Sequence, residues 1–132
     1  MKLLVDNDLP PRLARALNVL FAPDHEIVAL REKFGRSNLK DEEWIPKLGA
    51  EGGWAVLSAD MNIARKRPSR DLFVRAGLVG FFFSPSLQRT PLSLQAARVL
   101  TIWPQMVSHM KTTANGVFEV PIRGRKFRSI GR

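Results

Sequence analysis

The chain has no cysteine, so neither disulfides nor cysteine-ligated zinc can hold it together, and any metal must sit on oxygen or histidine ligands. No apolar stretch approaches the length needed to span a bilayer. Its two histidines, His25 and His109, are isolated from any acid or nucleophile at catalytic spacing. A glycine-rich phosphate loop is missing too, because GAEGG (49–53) comes before a strand and not after one. There is no internal repeat, low-complexity segment or linker. The opening MKLLVDND, whose apolar run ends in an acid, is expected to be neither a signal sequence nor an anchor. Together with the missing cysteines, this leads us to expect a soluble cytoplasmic protein.

What is present suffices for one core. With 132 residues, 45% of them apolar, the chain is long enough for one good domain and too short for two, so a single domain over 1–132 is expected. Acids are scarce: 12 against 21 lysines and arginines, a formal charge of +9. That excess points to a polyanion, nucleic acid before a membrane surface, since no long basic amphipathic helix stands out. A basic but inert surface is the competing reading.

Apolar runs and helical periods alternate along the chain. KLLV (2–5) reads as a buried strand, and PPRLARALNVLF places Leu13, Ala16, Leu17, Leu20 and Phe21 on one helical face. Pro10 and Pro11 suit that helix's first turn. EIVAL (26–30) is a second strand, followed by a polar loop through REKFGRSNLK. A helix near DEEW buries Trp44, Ile45 and Leu48, with Pro46 forcing a late start or a kink. WAVLS (54–58) is a third strand; the basic segment after it should be split by Pro68, and LVGFFF (78–83) is a fourth strand. From Pro91 a long helix carries Leu92, Ala96, Val99, Trp103, Met106, Val107 and Met110 on one stripe, which reads as core and not as a base-stacking platform. The tail GVFEVPIRGRKFRSIGR reads as a hairpin with Arg123 and Gly124 near the turn. The pattern predicts an α/β protein, a mostly parallel sheet covered on both faces.

In such sheets ligands bind outside the carboxyl ends of the strands, where strand order reverses. Asp6 and Asp8 follow the first strand, Asp60 follows the third, and Asp41, Glu42 and Glu43 open the helix leading into the third. Each has a plain structural reading: Asp41 and Asp8 as helix caps, Glu42 and Glu43 answering the helix dipole, Asp60 as a turn residue. Against this, all three stations fall at the same end of the sheet in a chain that is otherwise positive. Carboxylates so close repel one another unless a cation lies between them, and hard oxygen ligands suit magnesium or manganese.

These residues give the sequence its resemblance to the PIN-like nuclease domains, in particular the toxin ribonucleases of bacterial and archaeal toxin–antitoxin pairs. The likeness lies in VDNDLPPRLARAL, DEEWI, GGWAVLSAD and LVGFFF, in that order. It implies a three-layer α/β/α sandwich, here with a C-terminal β-hairpin extension, and a Mg2+- or Mn2+-dependent endoribonuclease leaving 5′-phosphate and 3′-hydroxyl ends. By position, Asp6, Asp41 and Asp60 match the catalytic, metal-binding acids, with Glu42 and Glu43 as stand-ins for Asp41 and Asp8 as a further ligand. Where many relatives carry another acid this chain has Asn62, which puts a second metal and the activity in question. The implied partners are RNA, a cognate antitoxin protein and a second copy of the chain.

Arg65, Lys66, Arg67 and Arg70, just beyond Asp60, and Arg12 at the first helix are the candidate phosphate contacts; a solvated helix face is the alternative. The tail arginines fall further from the expected acidic edge and fit RNA or an acidic protein equally. Besides the nuclease, two other functions stay open: an inactive PIN-like module that binds RNA or protein, and a receiver-like phosphoryl-transfer domain. The latter lacks its expected lysine.

Overall fold

The computed structural model describes residues 1–131. Strand β1 (Lys2–Val5) leads through a tight acidic turn to α1 (Pro11–Phe21), then β2 (Glu26–Ala29), α2 (Leu30–Phe34), α3 (Asp41–Glu51) and β3 (Trp54–Ser58). Helices α4 (Met61–Arg65) and α5 (Arg67–Ala76) precede β4 (Val79–Phe83). The short α6 (Pro85–Gln88), the long α7 (Leu92–Thr112), β5 (Gly116–Val120) and β6 (Arg128–Ser129) complete the order. One sheet runs β2-β1-β3-β4-β5-β6, parallel throughout except for β6. The expected hairpin therefore exists, but as the edge of the main sheet: β5 pairs in parallel with β4 and β6 returns antiparallel to β5.

The strands are runs of buried residues because both faces are covered. Leu3, Val5, Leu57, Phe81 and Phe83 pack under α1 and α7, whereas Leu4, Val56 and Phe82 pack under the layer of α2 to α5. Three layers result. The chain passes from β1 to β2 on one side and then to β3 on the other, so strand order reverses between β1 and β3.

Several local expectations change. The second strand stops at Ala29, and Leu30 starts a helical turn inside the segment read as loop, since its side chain is buried beneath the α3 layer. Gly35, at φ 75°, ends that turn in the left-handed region that glycine adopts without penalty. Helix α3 begins at Asp41 and runs through Pro46, giving up only the bond to the Glu42 carbonyl. Burial on α1 centres on Leu13, Ala14 and Leu17, leaving Leu20 63% exposed. Pro68 does divide the basic segment, standing in the first turn of α5.

Candidate functional site

Asp6 immediately follows β1 and its backbone N–H still donates to the Leu57 carbonyl at 2.9 Å, so it belongs to the last rung between β1 and β3. Its side chain is only 9% exposed. On the neighbouring strand, Ser58 is fully buried and its hydroxyl lies 3.2 Å from Asp6 Oδ2 and 3.1 Å from Asp8 Oδ2. The same oxygen accepts the Asp60 N–H at 3.1 Å. A hydroxyl has one proton to give, so it cannot donate to two carboxylates at once. The arrangement balances when one carboxyl is protonated or a cation shares the space.

The acids titrate accordingly. Burial, reinforced by the charges of Asp8 and Asp41, pushes the Asp6 carboxyl up to about 7, against the N–H of Asn7 and the Ser58 hydroxyl, which favour its ionised form. Asp8 is raised by burial and by Asp60, and is held back by Ser58 and the Ala59 N–H, which reaches it at 3.0 Å. Asp41 is raised by burial, with Glu42 and Asp60 adding to it, while the Trp44 indole N–H donates to it at 3.1 Å. The N-terminus of α3 thus stands within electrostatic reach of the two strand ends, as its antiparallel course to β3 requires. Asp60 caps α4, its Oδ1 accepting the N–H groups of Asn62 and Ile63.

In this arrangement the carboxylates are turned toward protein donors, and among the described residues no group of three or more acidic or histidine side chains is set to hold a metal ion as it stands. The donor chemistry fits a hard divalent cation nonetheless: the buried carboxylate of Asp6 and the neighbouring one of Asp8 repel one another, and among the described residues no cationic side chain is bonded to either. The Oδ1 of Asn7, buried without a partner in the turn between Asp6 and Asp8, adds a neutral oxygen, while Asn7 Nδ2 ties that turn to the Ser37 carbonyl at 2.8 Å.

Arg12 lines a groove of about 520 Å³ with Asp8, Asp60, Gln88 and Gln95, on the α7 side of the acids. Arg65, Lys66 and Arg67 are exposed where α4 gives way to α5. Arg70 is not free in the same way, since its guanidinium donates to the Ala64 and Arg65 carbonyls at the end of α4. Glu42 and Glu43 point outward, Glu43 pairing with Arg36 at 3.0 Å.

Sequence reasoning passed over Ser58 and Asn7. Ser58 left one signal, a hydroxyl at the end of an otherwise apolar strand, one residue before the Ala-Asp turn. Gln95 was missed as well: it is buried in the stripe of α7, donating to the Leu87, Gln88 and Thr90 carbonyls and so fixing α6 beside the groove.

A mostly parallel α/β sheet with carboxylates gathered at its reversal point defines the class of protein. The model of a PIN-like domain matches residues 1–85, well over half of the chain, and the chain belongs to that family. Neither the comparison with curated proteins nor that with solved structures gives a match. PIN-like domains are in general nucleases that use divalent metals.

Proposed function

We propose that this chain is a metal-dependent endoribonuclease, with Asp6, Asp41, Asp60 and Asp8 as the acids that hold Mg2+ or Mn2+. The observation that carries the reading is the meeting of the Asp6 and Asp8 carboxylates on the one hydroxyl of Ser58, with the carboxylates of Asp60 and Asp41 in electrostatic range of them. When bound, a hard divalent ion supplies a polarised water and offsets charge on the phosphate being cut.

The chain's own residues do the rest. Ser58 holds the carboxylates of Asp6 and Asp8 at fixed positions, and Asn7 keeps the acidic turn against the loop that delivers Asp41. Asp8, whose pKa is raised by partial desolvation and by the charge of Asp60, is the carboxylate we assign to take a proton from water. Arg12 and, across the acids, Arg65, Lys66 and Arg67 hold neighbouring phosphates. The role we assign is that of the toxin of a toxin–antitoxin pair, a reading that rests on the resemblance of VDNDLPPRLARAL, DEEWI and GGWAVLSAD to the toxin ribonucleases.

The test is cleavage of labelled RNA by wild type, Asp6→Ala and Asp60→Ala with magnesium, manganese or EDTA. Cutting that needs metal and both acids is expected. Binding without cutting in any metal refutes the enzyme and favours a binding module, a reading to which Asn62 lends weight. Arrested growth on expression, relieved by a small neighbouring gene, is the expected sign of the toxin role.

A further inference from the structure

The residues beyond the family's match build a cationic loop on the edge that carries the acids. Because β5 runs parallel to β4 and β3, the segment after Val120 leaves the sheet at the carboxyl ends, as Asp6 and Asp60 do. Arg123, Arg125 and Lys126 are exposed there, and among the described residues none of them pairs with an acid, whereas Arg128 meets Glu119 at 3.4 Å. Together they line a groove of about 770 Å³.

This loop is fastened at both ends. The Arg98 guanidinium, reaching up from α7, donates to the Pro121 carbonyl at 2.8 Å and to that of Gly124. Phe127 packs against Phe81 and His109, with ring centroids 5.1 and 5.2 Å apart. Gly124, at φ 83°, makes the turn. Between loop and acids, at the carboxyl end of β4, Arg89 stands exposed after α6. Neighbouring strands are about 4.8 Å apart, so the loop's root lies roughly 10 Å along the edge from that of Asp60.

We propose that Arg89, Arg123, Arg125 and Lys126 form a second phosphate-binding row for a single-stranded RNA whose cut phosphodiester lies at the acids. The inference rests on the nuclease reading and extends it: the substrate is a strand long enough to follow the edge from the acids to the loop. A single row of cations on one edge matches one backbone. Forked guanidinium donors held on a tethered loop suit phosphate oxygens, and pre-ordering lowers the cost of binding.

The test is anisotropy of a labelled single-stranded RNA of about sixteen nucleotides, read with the full chain in EDTA over a salt series. Replacing Arg123, Arg125 and Lys126 together by serine should weaken binding about tenfold or more and lower the salt slope by about 2, some 0.7 for each phosphate no longer neutralised. Arg123→Lys with Arg125→Lys should keep the slope. Should the triple variant not fold, Arg89→Ser alone should lower the slope by about 0.7. Unchanged affinity and slope overturn the proposal. Loss of poly-glutamate binding with RNA binding intact overturns it too, giving the loop to an acidic protein. Cleavage with magnesium is scored apart: a protein that binds through the loop and never cuts refutes the nuclease reading and leaves the row standing.

Discussion

The carboxyl edge of the sheet has two ends of opposite character. Between β1 and β3 the charges are negative, buried at Asp6 and partly to fully open to solvent at its neighbours, and the carboxylates of Asp6, Asp8 and Asp41 are tied to a backbone N–H, an indole or the Ser58 hydroxyl. Beyond β4 they are positive and exposed, and what is tied down is the backbone, by Arg98 and Phe127, while the cationic heads stay in water. Desolvation makes Asp6 chemically unusual, whereas exposure leaves the cationic heads open to a partner. In the function we propose, chemistry and grip are therefore built from different physics on one edge.

The largest effect should come from the acidic end. Asp6→Asn or Asp60→Asn removes a charge from the cluster and should lower the rate of RNA cutting by at least about a hundredfold, while binding of RNA in EDTA stays the same or tightens. Weaker binding in EDTA would mean that the acids hold the fold and not the chemistry, and the contrast between the two ends would collapse.

The same burial should be visible in stability. Asp6 titrates near 7 in the folded protein against an ordinary value of 3.8, so between those pH values the folded state holds a proton that the unfolded chain has released. Stability of the metal-free protein is therefore fully present below the lower value and falls as pH rises through the upper one, by a few kcal/mol. Asp6→Asn, which cannot ionise, should raise the melting temperature at about pH 8 and change it little at about pH 4. Magnesium should reproduce much of that gain in the wild type at the higher pH. No rise from the substitution at pH 8 would show that the carboxyl is better solvated than its 9% exposure implies.

Ser58 separates positioning from ligation. Its hydroxyl favours the ionised forms of Asp6 and Asp8, so Ser58→Ala should raise both pKa values further and cost about 10- to 100-fold in metal affinity or activity. Because the change is to the positions and not the number of carboxylates, higher pH or higher metal concentration should restore most of the rate. A loss that neither recovers would make Ser58 a direct participant.

How much of this was legible follows the same division. The acids were readable because strand ends and helix starts are marked in sequence by apolar runs stopping at Asp6, Asp60 and Asp41, and a parallel sheet brings equivalent ends together. Pro68 was readable because a missing N–H acts locally. Where several faces compete, periodicity decides less. Leu13 and Leu17 of α1 belong to either flank, and only the lie of the helix on the sheet chooses Ala14 over Ala16 and Leu20. Ser58 and Gln95 were hidden because their partners are far along the chain or are backbone carbonyls, which leave no trace in composition. The tail was misplaced for a related reason: its charge was plain, but its nearness to the acidic edge depends on β5 joining the sheet in parallel beside β4. Arg70 shows the converse, a basic residue near the acids whose guanidinium is taken up by carbonyls at the end of α4.

The smallest predicted effect is the one that best separates grip from order. Arg98 carries a full charge close to the basic loop, yet its guanidinium is engaged with the Pro121 and Gly124 carbonyls, and burial lowers its pKa. If its part is to hold the loop ready, Arg98→Met leaves every phosphate neutralised as before. RNA binding should then weaken only by the cost of ordering a slack loop, about 0.5 to 1 kcal/mol, or roughly two- to five-fold in Kd. The salt slope reports how many phosphates are neutralised, so it should stay at the wild-type value, whereas replacing Arg123 or Arg125 lowers it. A slope that falls with Arg98 would place its guanidinium on the RNA and make the tether itself part of the row.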